Sequence, residues 1–238
     1  MNGAEAPHNR EREMSNDNQG EKPLNRRQYS KIRTREGVIA AGRALFMEGG
    51  YAKATIRDIA KRIPRGADKP RGMSTGAVFA NFGSKAELLL TVVEEDLEFH
   101  KELLERTASE EGTVLELVAK ICTSDFVFFK DRLYLMEALA TIETLVEPEK
   151  EDPLATARWA CLLTERRRER IRFLIWEQLD AVGCGNAPFN QALPFIVGAH
   201  LERCRQATFE GVQVDRYRKY LQRHFFYLLP PNILSLAA

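Results

Sequence analysis

Apolar residues recur every three or four positions along almost the whole chain from Thr34 onward. This spacing places them on one face of an α-helix, whereas a half-buried strand would alternate apolar and polar positions. We therefore predict an all-α protein in which short helices come first and longer helices follow. The predicted helices cover residues 34–48, 55–63, 74–80, a long element opening at 84, 113–129, 131–146, 154–182 (one helix or a broken pair), 189–209 and 215–229.

Residues that satisfy free backbone groups mark several helix starts. Thr55 and Ser74 are placed to cap the second and third helices. Ser84–Glu87 and Thr113–Glu116 have the spacing of capping boxes and open two longer helices. Glycine and proline end or bend helices, and the expected positions are Gly49–Gly50, Pro64 and Pro194.

Charge is divided unevenly along the chain. The 238 residues include 35 Lys and Arg against 34 Asp and Glu, a net charge of +1 that by itself argues against a nucleic-acid partner. However, residues 1–90 hold 17 basic against 10 acidic residues, and 22–71 hold 14 against 4. Residues 91–238 hold 18 against 24. One end is therefore basic enough to suit phosphate, and the remainder is acidic.

Residues 1–28 contain one Leu, no aromatic residue and no periodicity. This composition predicts a disordered arm, because it offers too little apolar surface to bury. Its basic end adjoins the first predicted helix. The arm is either a solvated tail or an element that adds phosphate contacts.

The four cysteines, Cys122, Cys161, Cys184 and Cys204, form no C-x-x-C pair. Scattered cysteines in a chain of this size indicate buried, reduced thiols. The first twenty residues lack the apolar core of a secretion signal, and proline and asparagine interrupt the longest uncharged stretch, 181–201. We expect a cytoplasmic protein that does not enter a membrane.

Three short helices with a turn between the second and third describe a helix-turn-helix, whose last helix enters the major groove of DNA. Residues 34–90, about a quarter of the chain, resemble the DNA-binding domain of TetR-family transcriptional regulators. Four separated blocks carry the resemblance in the right order, namely 40–51, 55–60, 72–82, and 84–85 with 88–89.

The resemblance implies roles for individual residues. The groove-facing start of the recognition helix matches Ser74, Thr75, Gly76 and Ala77. Thr55 and Lys85 match phosphate contacts at the starts of their helices. Two positions depart from the family pattern, because Phe79 stands where Tyr is usual and Asn81 where His is common. The phenolic hydrogen bond to phosphate is therefore missing, while an amide can still donate.

The turn before the recognition helix, Ile63–Arg71, is about eight residues longer than the resemblance predicts. It carries Arg65, Lys69 and Arg71 against a single acid, Asp68. The insertion is either a tolerated surface loop or an extension of the DNA footprint through backbone or minor-groove contacts. Arg71 is the stronger candidate for DNA because it lies nearest the reading helix.

The resemblance also implies that 91–238 form a helical ligand-binding and dimerisation domain, so that a homodimer binds a palindromic operator. Aromatic residues in such a domain are either core or the lining of an apolar effector pocket. The candidates for that lining are Phe126, Phe129, Tyr134, Trp159, Phe173 and Trp176. Apolar residues of the last two helices, such as Leu193, Ile196, Val197, Leu201, Tyr217, Tyr220 and Leu221, are expected at the dimer interface.

Other motifs contribute less. His200 and Cys204 have a spacing that two metal ligands could use, but no third ligand is near in sequence, so a packed or surface pair is expected and no metal. The arginine-rich run 165–172 is either a charged helix face or a site for an anionic effector or acidic partner. We find no phosphate-binding loop, dinucleotide fingerprint or nucleophile elbow, so neither a cofactor nor an enzyme is expected.

The sequence thus predicts three segments, an arm over 1–28, a helix-turn-helix domain over 29–90 and a helical effector-binding and dimerisation domain over 91–238. The predicted function is a dimeric repressor that binds double-stranded DNA and is released by a small molecule. The alternative is an interaction protein of the same fold that binds DNA constitutively and recruits a protein partner.

Overall fold

The computed structural model describes residues 25–63, 72–141, 153–183 and 187–225. These residues are helical and include no strand, which confirms the all-α class. The helices are α1 Arg26–Lys53, α2 Ile56–Arg62, α3 Thr75–Phe79, α4 Lys85–Ala108, α5 Val114–Lys130, α6 Leu133–Thr141, α7 Pro153–Asp180, α8 Ala187–Phe209 and α9 Val214–Tyr220, which continues as a π-helical turn over Leu221–Phe225.

Helix α1 begins eight residues earlier than the apolar pattern predicted. A capping box that the sequence reading missed sets its start, with Asn25 N donating to Gln28 Oε1 at 2.7 Å and Gln28 N donating to Asn25 Oδ1 at 3.0 Å. Apolar periodicity could not reveal this start, because residues 26–37 have no core to pack on. The arm predicted over 1–28 therefore overlaps a helix at its last three residues, and its remainder before residue 25 lies outside the described chain.

Other helix ends agree with the pattern to within a turn. Gly50 leaves helical geometry at φ +75°, as expected, but one more helical turn follows it to Lys53. Helix α7 is one continuous helix rather than a broken pair. Pro194 lies inside α8. The predicted end of α6 near residue 146 lies beyond the described residues.

The core of the predicted DNA-binding domain forms where α1, α2, α3 and the first turns of α4 meet. Its fully buried side chains include Val38, Phe46, Ile59, Val78, Phe82, Leu88 and Leu89. Gly42 allows α1 and α4 to approach closely, because a Cβ there would lie 2.9 Å from Leu88 Cδ2. Leu45 and Ile56 are partly buried at its edge. Since α4 continues to Ala108, it belongs to both domains.

A buried carboxylate, Asp125 of α5, lies among helices α4, α7 and α8. Arg167 of α7 donates to it through Nε at 3.0 Å and Nη2 at 2.7 Å. His200 of α8 donates from Nε2 at 2.9 Å and accepts at Nδ1 from the Tyr217 hydroxyl at 3.0 Å. His100 Nε2 of α4 lies 3.0 Å from Asp125 Oδ1. All five side chains are buried, so one negative group connects α4, α5, α7, α8 and α9.

Burial and pairing fix the charge state of this cluster. Burial alone would raise the pKa of Asp125, but Arg167 and the two histidines hold that pKa well below its ordinary value. Burial lowers the pKa of His100, which Asp125 offsets only in part. The cluster is therefore an ionised Asp125–Arg167 pair flanked by His100 in its neutral form.

The possible metal pair of α8 belongs to this cluster. His200 is held by Asp125 and Tyr217, and Cys204 Sγ lies 3.3 Å from Arg167 Nη2. Cys122 and Cys204 are buried free thiols, and burial raises the pKa of Cys204 to about 12. His200 and Cys204 are therefore a buried, hydrogen-bonded pair, and in the described chain no three metal-ligating residues form a group that could hold an ion.

None of the helices in the described ranges is both long enough and apolar enough to cross a membrane.

Candidate nucleic-acid interface

The second and third helices begin at the predicted caps. Thr55 Oγ1 accepts from Asp58 N at 3.2 Å and donates to the Asp58 carboxylate at 2.6 Å. Ser74 Oγ accepts from Ala77 N at 3.3 Å. These bonds fix where α2 and α3 start, and therefore which residues stand at the ends of the turn between them.

Helix α3 is anchored by one residue and exposes the rest of its surface. Val78 is fully buried, whereas Ser74, Thr75 and Gly76 are exposed. The large apolar side chain of Phe79 is 52% exposed. The small residues at the start of α3 leave room for close approach of its backbone to another surface, as reading the major groove requires.

Gly72 explains how the lengthened turn leaves the helix-turn-helix intact. A Cβ at this position would lie 2.4 Å from both Cα and O of Lys61 and 2.5 Å from the Ala60 carbonyl oxygen. Met73 N donates to that same Ala60 oxygen at 2.8 Å. The chain therefore returns after the insertion to the backbone of α2, where only glycine fits, and α3 starts close to the helix that positions it. In the sequence, Gly72 belongs to the block 72–82 that carries the family resemblance, and no structural role was predicted for it.

Gly72→Ala is expected to displace α3 and to weaken binding to duplex DNA at least about tenfold, because the new methyl group overlaps backbone that cannot rotate away. Fluorescence anisotropy with labelled DNA measures the loss. Gly49→Ala is the matched control in the same domain, since its Cβ would meet only ordinary contacts at 3.5 Å or more. Unchanged DNA binding by Gly72→Ala would contradict this role for the glycine.

The other predicted DNA contacts have partners within the domain. Lys85 Nζ donates to the carbonyl oxygens of Tyr51 and Ala54 at 3.0 and 3.1 Å, and its partial burial lowers its pKa. Asn81 Nδ2 donates to the Ala77 carbonyl oxygen at 2.8 Å. Lys85 thus ties α4 to the end of α1, and Asn81 closes α3. Arg65, Lys69 and Arg71 lie outside the described residues, so their role stays a prediction.

The predicted effector-pocket residues whose side chains the structure describes fall into two groups, those buried in the core and those at surface cavities. Phe126 and Phe129 are fully buried, the first stacked on Tyr217 with ring centroids 4.0 Å apart and the second beneath the Arg167 guanidinium. Tyr134 is buried and donates to the Asp96 carboxylate. Phe173 and Trp176 lie on surface cavities, and the side chain of Trp159 lies outside the described part.

An open cleft of about 860 Å³ lies between α4 and α7. Leu97 and Phe173 contribute apolar surface to it, and the buried side chains of His100 and Arg167 line it as well. Charged residues of both helices form the remaining walls, and they are Glu94, Glu95, Glu98, Lys101, Arg166, Glu169, Arg170 and Arg172. Its volume is in the range that binds small organic molecules.

Glu95, which lines this cleft, also forms an ion pair with helix α1 of the DNA-binding domain. Glu95 Oε2 accepts from Arg43 Nη2 of α1 at 2.7 Å, and the neighbouring Asp96 accepts from Arg43 Nε at 2.8 Å. Asp96 is buried and also accepts from Tyr134. The interdomain ion pairs therefore begin at the edge of the cleft. Sequence patterns gave no signal for these pairs, which join residues more than 50 positions apart.

The helix-turn-helix, the shared α4 and the helical second domain define a class of bacterial DNA-binding regulators. Residues 38–92 match the family model described as bacterial regulatory proteins, tetR family. A 95-residue stretch is 34% identical to the HTH-type transcriptional repressor AcnR of Corynebacterium efficiens, and it covers 40% of each chain. The DNA-binding end of the chain therefore matches the TetR family of transcriptional regulators over residues 38–92, and the chain spans 40% of the length of the AcnR relative.

Solved structures share the overall fold at low sequence identity. A tetR-family regulator from Streptomyces coelicolor matches 87% of both chains with a TM-score of 0.62 and 14% identity. The fatty acid degradation regulator FadR from Bacillus halodurans covers 80% of this chain and 95% of its own, with a TM-score of 0.55 and 15% identity. PfmR from Thermus thermophilus covers 87% and 96%, with a TM-score of 0.54 and 16% identity.

Proposed function

We propose that the protein is a dimeric cytoplasmic repressor that binds an operator through α3 and leaves it when a small molecule enters the α4–α7 cleft. The observation that carries this proposal is the position of Glu95, which lines the cleft and at the same time pairs with Arg43 of the DNA-binding domain. The AcnR relative, whose match to this chain spans 40% of its length, is a transcriptional repressor.

Operator reading is assigned to the exposed start of α3. Ser74, Thr75, Gly76 and Ala77 would face base edges in the major groove, with Phe79 beside them in apolar contact. The exposed Thr55 start of α2 would face phosphate. Lys85 would contribute indirectly, since its ammonium group holds the start of α4 against the end of α1.

Release would follow from a shift between two arrangements of α4. In one arrangement Arg43 bridges Glu95 and Asp96 and sets the angle of the DNA-binding domain. A ligand that wedges between Leu97 and Phe173 would move α4 relative to α7 and disturb the same pairs. In a dimer, a small rotation of each DNA-binding domain changes the spacing of the two recognition helices and lowers operator affinity.

Dimerisation is assigned to the outward face of α8, which differs from the face that the apolar pattern favoured. Leu193, Ile196, Val197, Tyr217 and Leu221, predicted at the interface, are buried within the protomer. Phe195 is 81% exposed and Phe209 49% exposed on the same helix, and a Cβ at Gly198 would meet no atom within 4 Å. An exposed phenylalanine on a face open to close approach fits a symmetric helix contact with a second copy.

The release mechanism is tested with full-length protein and a duplex that it selects from a random-sequence pool. A small-molecule library is screened first for binding by calorimetry and then for operator release by anisotropy. Molecules that bind should weaken operator affinity at least about tenfold, within the usual range of coupling between sites. Phe173→Asp should abolish their binding while operator affinity without ligand persists, because this side chain lies in the cleft and away from α3.

Two further variants complete the test. Glu95→Gln examines the coupling between the cleft and the DNA-binding domain, and Val182→Asp is the control. Glu95→Gln should bind the same molecules but release DNA less, because it weakens the pair with Arg43. Val182→Asp, on an exposed turn after α7, should behave like the wild type. Molecules that bind in the cleft and leave operator affinity unchanged would contradict release and favour the constitutive DNA-binding interaction protein.

A further inference from the structure

The first three turns of α1 project beyond the DNA-binding domain. None of the residues 26–37 is buried, and burial begins at Val38. At 1.5 Å per residue, this projecting part is about 18 Å long. The Asn25–Gln28 capping box and a bond from Thr34 Oγ1 to the Ser30 carbonyl oxygen at 2.8 Å support its helical form. Residues 26–37 are therefore an exposed helical segment, called the rod below.

Positive charge dominates this rod. Residues 26–36 hold five cations, Arg26, Arg27, Lys31, Arg33 and Arg35, against Glu36 alone. The first four make no ion pair with any residue of the described ranges. Exposed arginines of the regulatory domain are commonly paired within one helix, as Arg168 is with Glu165 and Arg205 with Glu202. Unpaired cations on a rigid support suit a polyanion.

Arg35 fixes the direction in which the rod faces. Its Nη1 donates to the Asn81 carbonyl oxygen at 2.9 Å, and its guanidinium lies 4.3 Å from the centre of the Phe82 ring. Both partners come directly after the recognition helix α3. Residues four apart share a helix face, so Lys31 and Arg27 continue the stripe of Arg35, about 6 and 12 Å farther along the helix.

We propose that Arg27 and Lys31 bind the phosphate backbone of duplex DNA that flanks the sequence read by α3. Arg35 acts as a positioning residue that holds the rod beside the recognition helix. The proposal rests on the operator binding proposed above and adds a second, sequence-independent contact, because side chains on phosphates orient a protein without reading bases. Arg26 and Arg33 lie seven residues apart on the opposite face and do not take part.

The test compares two double variants of the full-length protein, Arg27→Ala/Lys31→Ala and Arg26→Ala/Arg33→Ala. Each removes two exposed cations from the same rod, and alanine preserves its helix, which far-ultraviolet circular dichroism checks. The probe is the duplex selected by the wild type, with about ten flanking base pairs on each side, roughly one helical turn. A second probe lacks the flanks.

On the flanked duplex, Arg27→Ala/Lys31→Ala should reduce the slope of log affinity against log salt by about two per protomer, at 0.9 per phosphate contact. The opposite-face variant should reduce it clearly less. On the trimmed duplex, both variants should match the wild type, and the selected sequence should not change. Equal salt slopes for Arg27→Ala/Lys31→Ala and the wild type would overturn the proposal. Equal reductions of the slope by the two double variants would overturn it as well, and so would a reduction that persists on the duplex without flanks. If the wild type selects no sequence at all, operator binding itself is wrong.

Discussion

Thr75→Asp is expected to abolish sequence-specific DNA binding, with a loss of at least about 100-fold in affinity. Thr75 is the first residue of α3 and is exposed. A carboxylate there would face phosphates and the acceptor atoms of base edges, and like charges brought together at an interface cost several kcal/mol. Anisotropy titrations of full-length protein on its selected duplex measure the loss.

The substitution should leave the fold intact, which makes the result interpretable. The first turn of α3 contains no acidic residue, and an acid at a helix start interacts favourably with the helix dipole. The thermal midpoint should therefore be unchanged or slightly raised. Gln213→Asp is the matched control, because it adds the same charge at the uncapped start of α9. If Thr75→Asp binds the selected duplex as tightly as this control, α3 is not the reading helix.

Asp125→Asn is expected to destabilise the packing of α4, α5, α7 and α8 by about 3–5 kcal/mol, the usual effect of removing one partner from a buried ion pair. The amide cannot accept both hydrogen bonds of Arg167 and leaves a buried guanidinium without its counter-charge. Urea unfolding measures the loss as a lower midpoint. Asp180→Asn, an exposed position of α7, should change stability by less than about 0.5 kcal/mol.

A double variant and a pH series identify the cause. Asp125→Leu with Arg167→Met should recover much of the stability that either single change loses, since no buried charge remains. The folded state depresses the pKa of both Asp125 and His100. Their contributions are complete above the unfolded pKa values, about 3.9 and 6.5, and are lost as the pH falls through the folded values. Wild-type stability should therefore fall on acidification below about pH 6.5. A wild type as stable at pH 4 as at pH 7 would contradict this account.

Hydrophobic periodicity and capping residues predicted the fold class and most helix starts. Three-to-four spacing identified the all-α class, and Thr55, Ser74 and Thr113 cap the helices that they were expected to cap. These features depend on neighbours within a turn, which a sequence displays directly. Periodicity failed at the start of α1, because a helical segment that buries no side chain in the core has no apolar stripe.

Side-chain partners were much harder to predict than elements. Among the aromatic residues predicted as core or pocket lining, Phe126 and Phe129 are core, and Phe173 lies at the cleft. The apolar residues of α8 were expected at a dimer contact, but many of them fill their own protomer. An apolar side chain buried against its own chain and one buried against a second chain have the same sequence signature.

By itself, the sequence determined a helical protein with a basic TetR-type DNA-binding end and an acidic helical remainder. Helical periodicity, capping residues and charge blocks each depend on residues close together in the sequence, so the sequence alone reveals them. Only the tertiary structure decided that Gly72 returns the lengthened turn to α2, that Asp125 joins five helices, and that Glu95 belongs both to a cleft and to the Arg43 junction. Each of these depends on residues brought together from separate elements, and packing, rather than local preference, sets which groups meet.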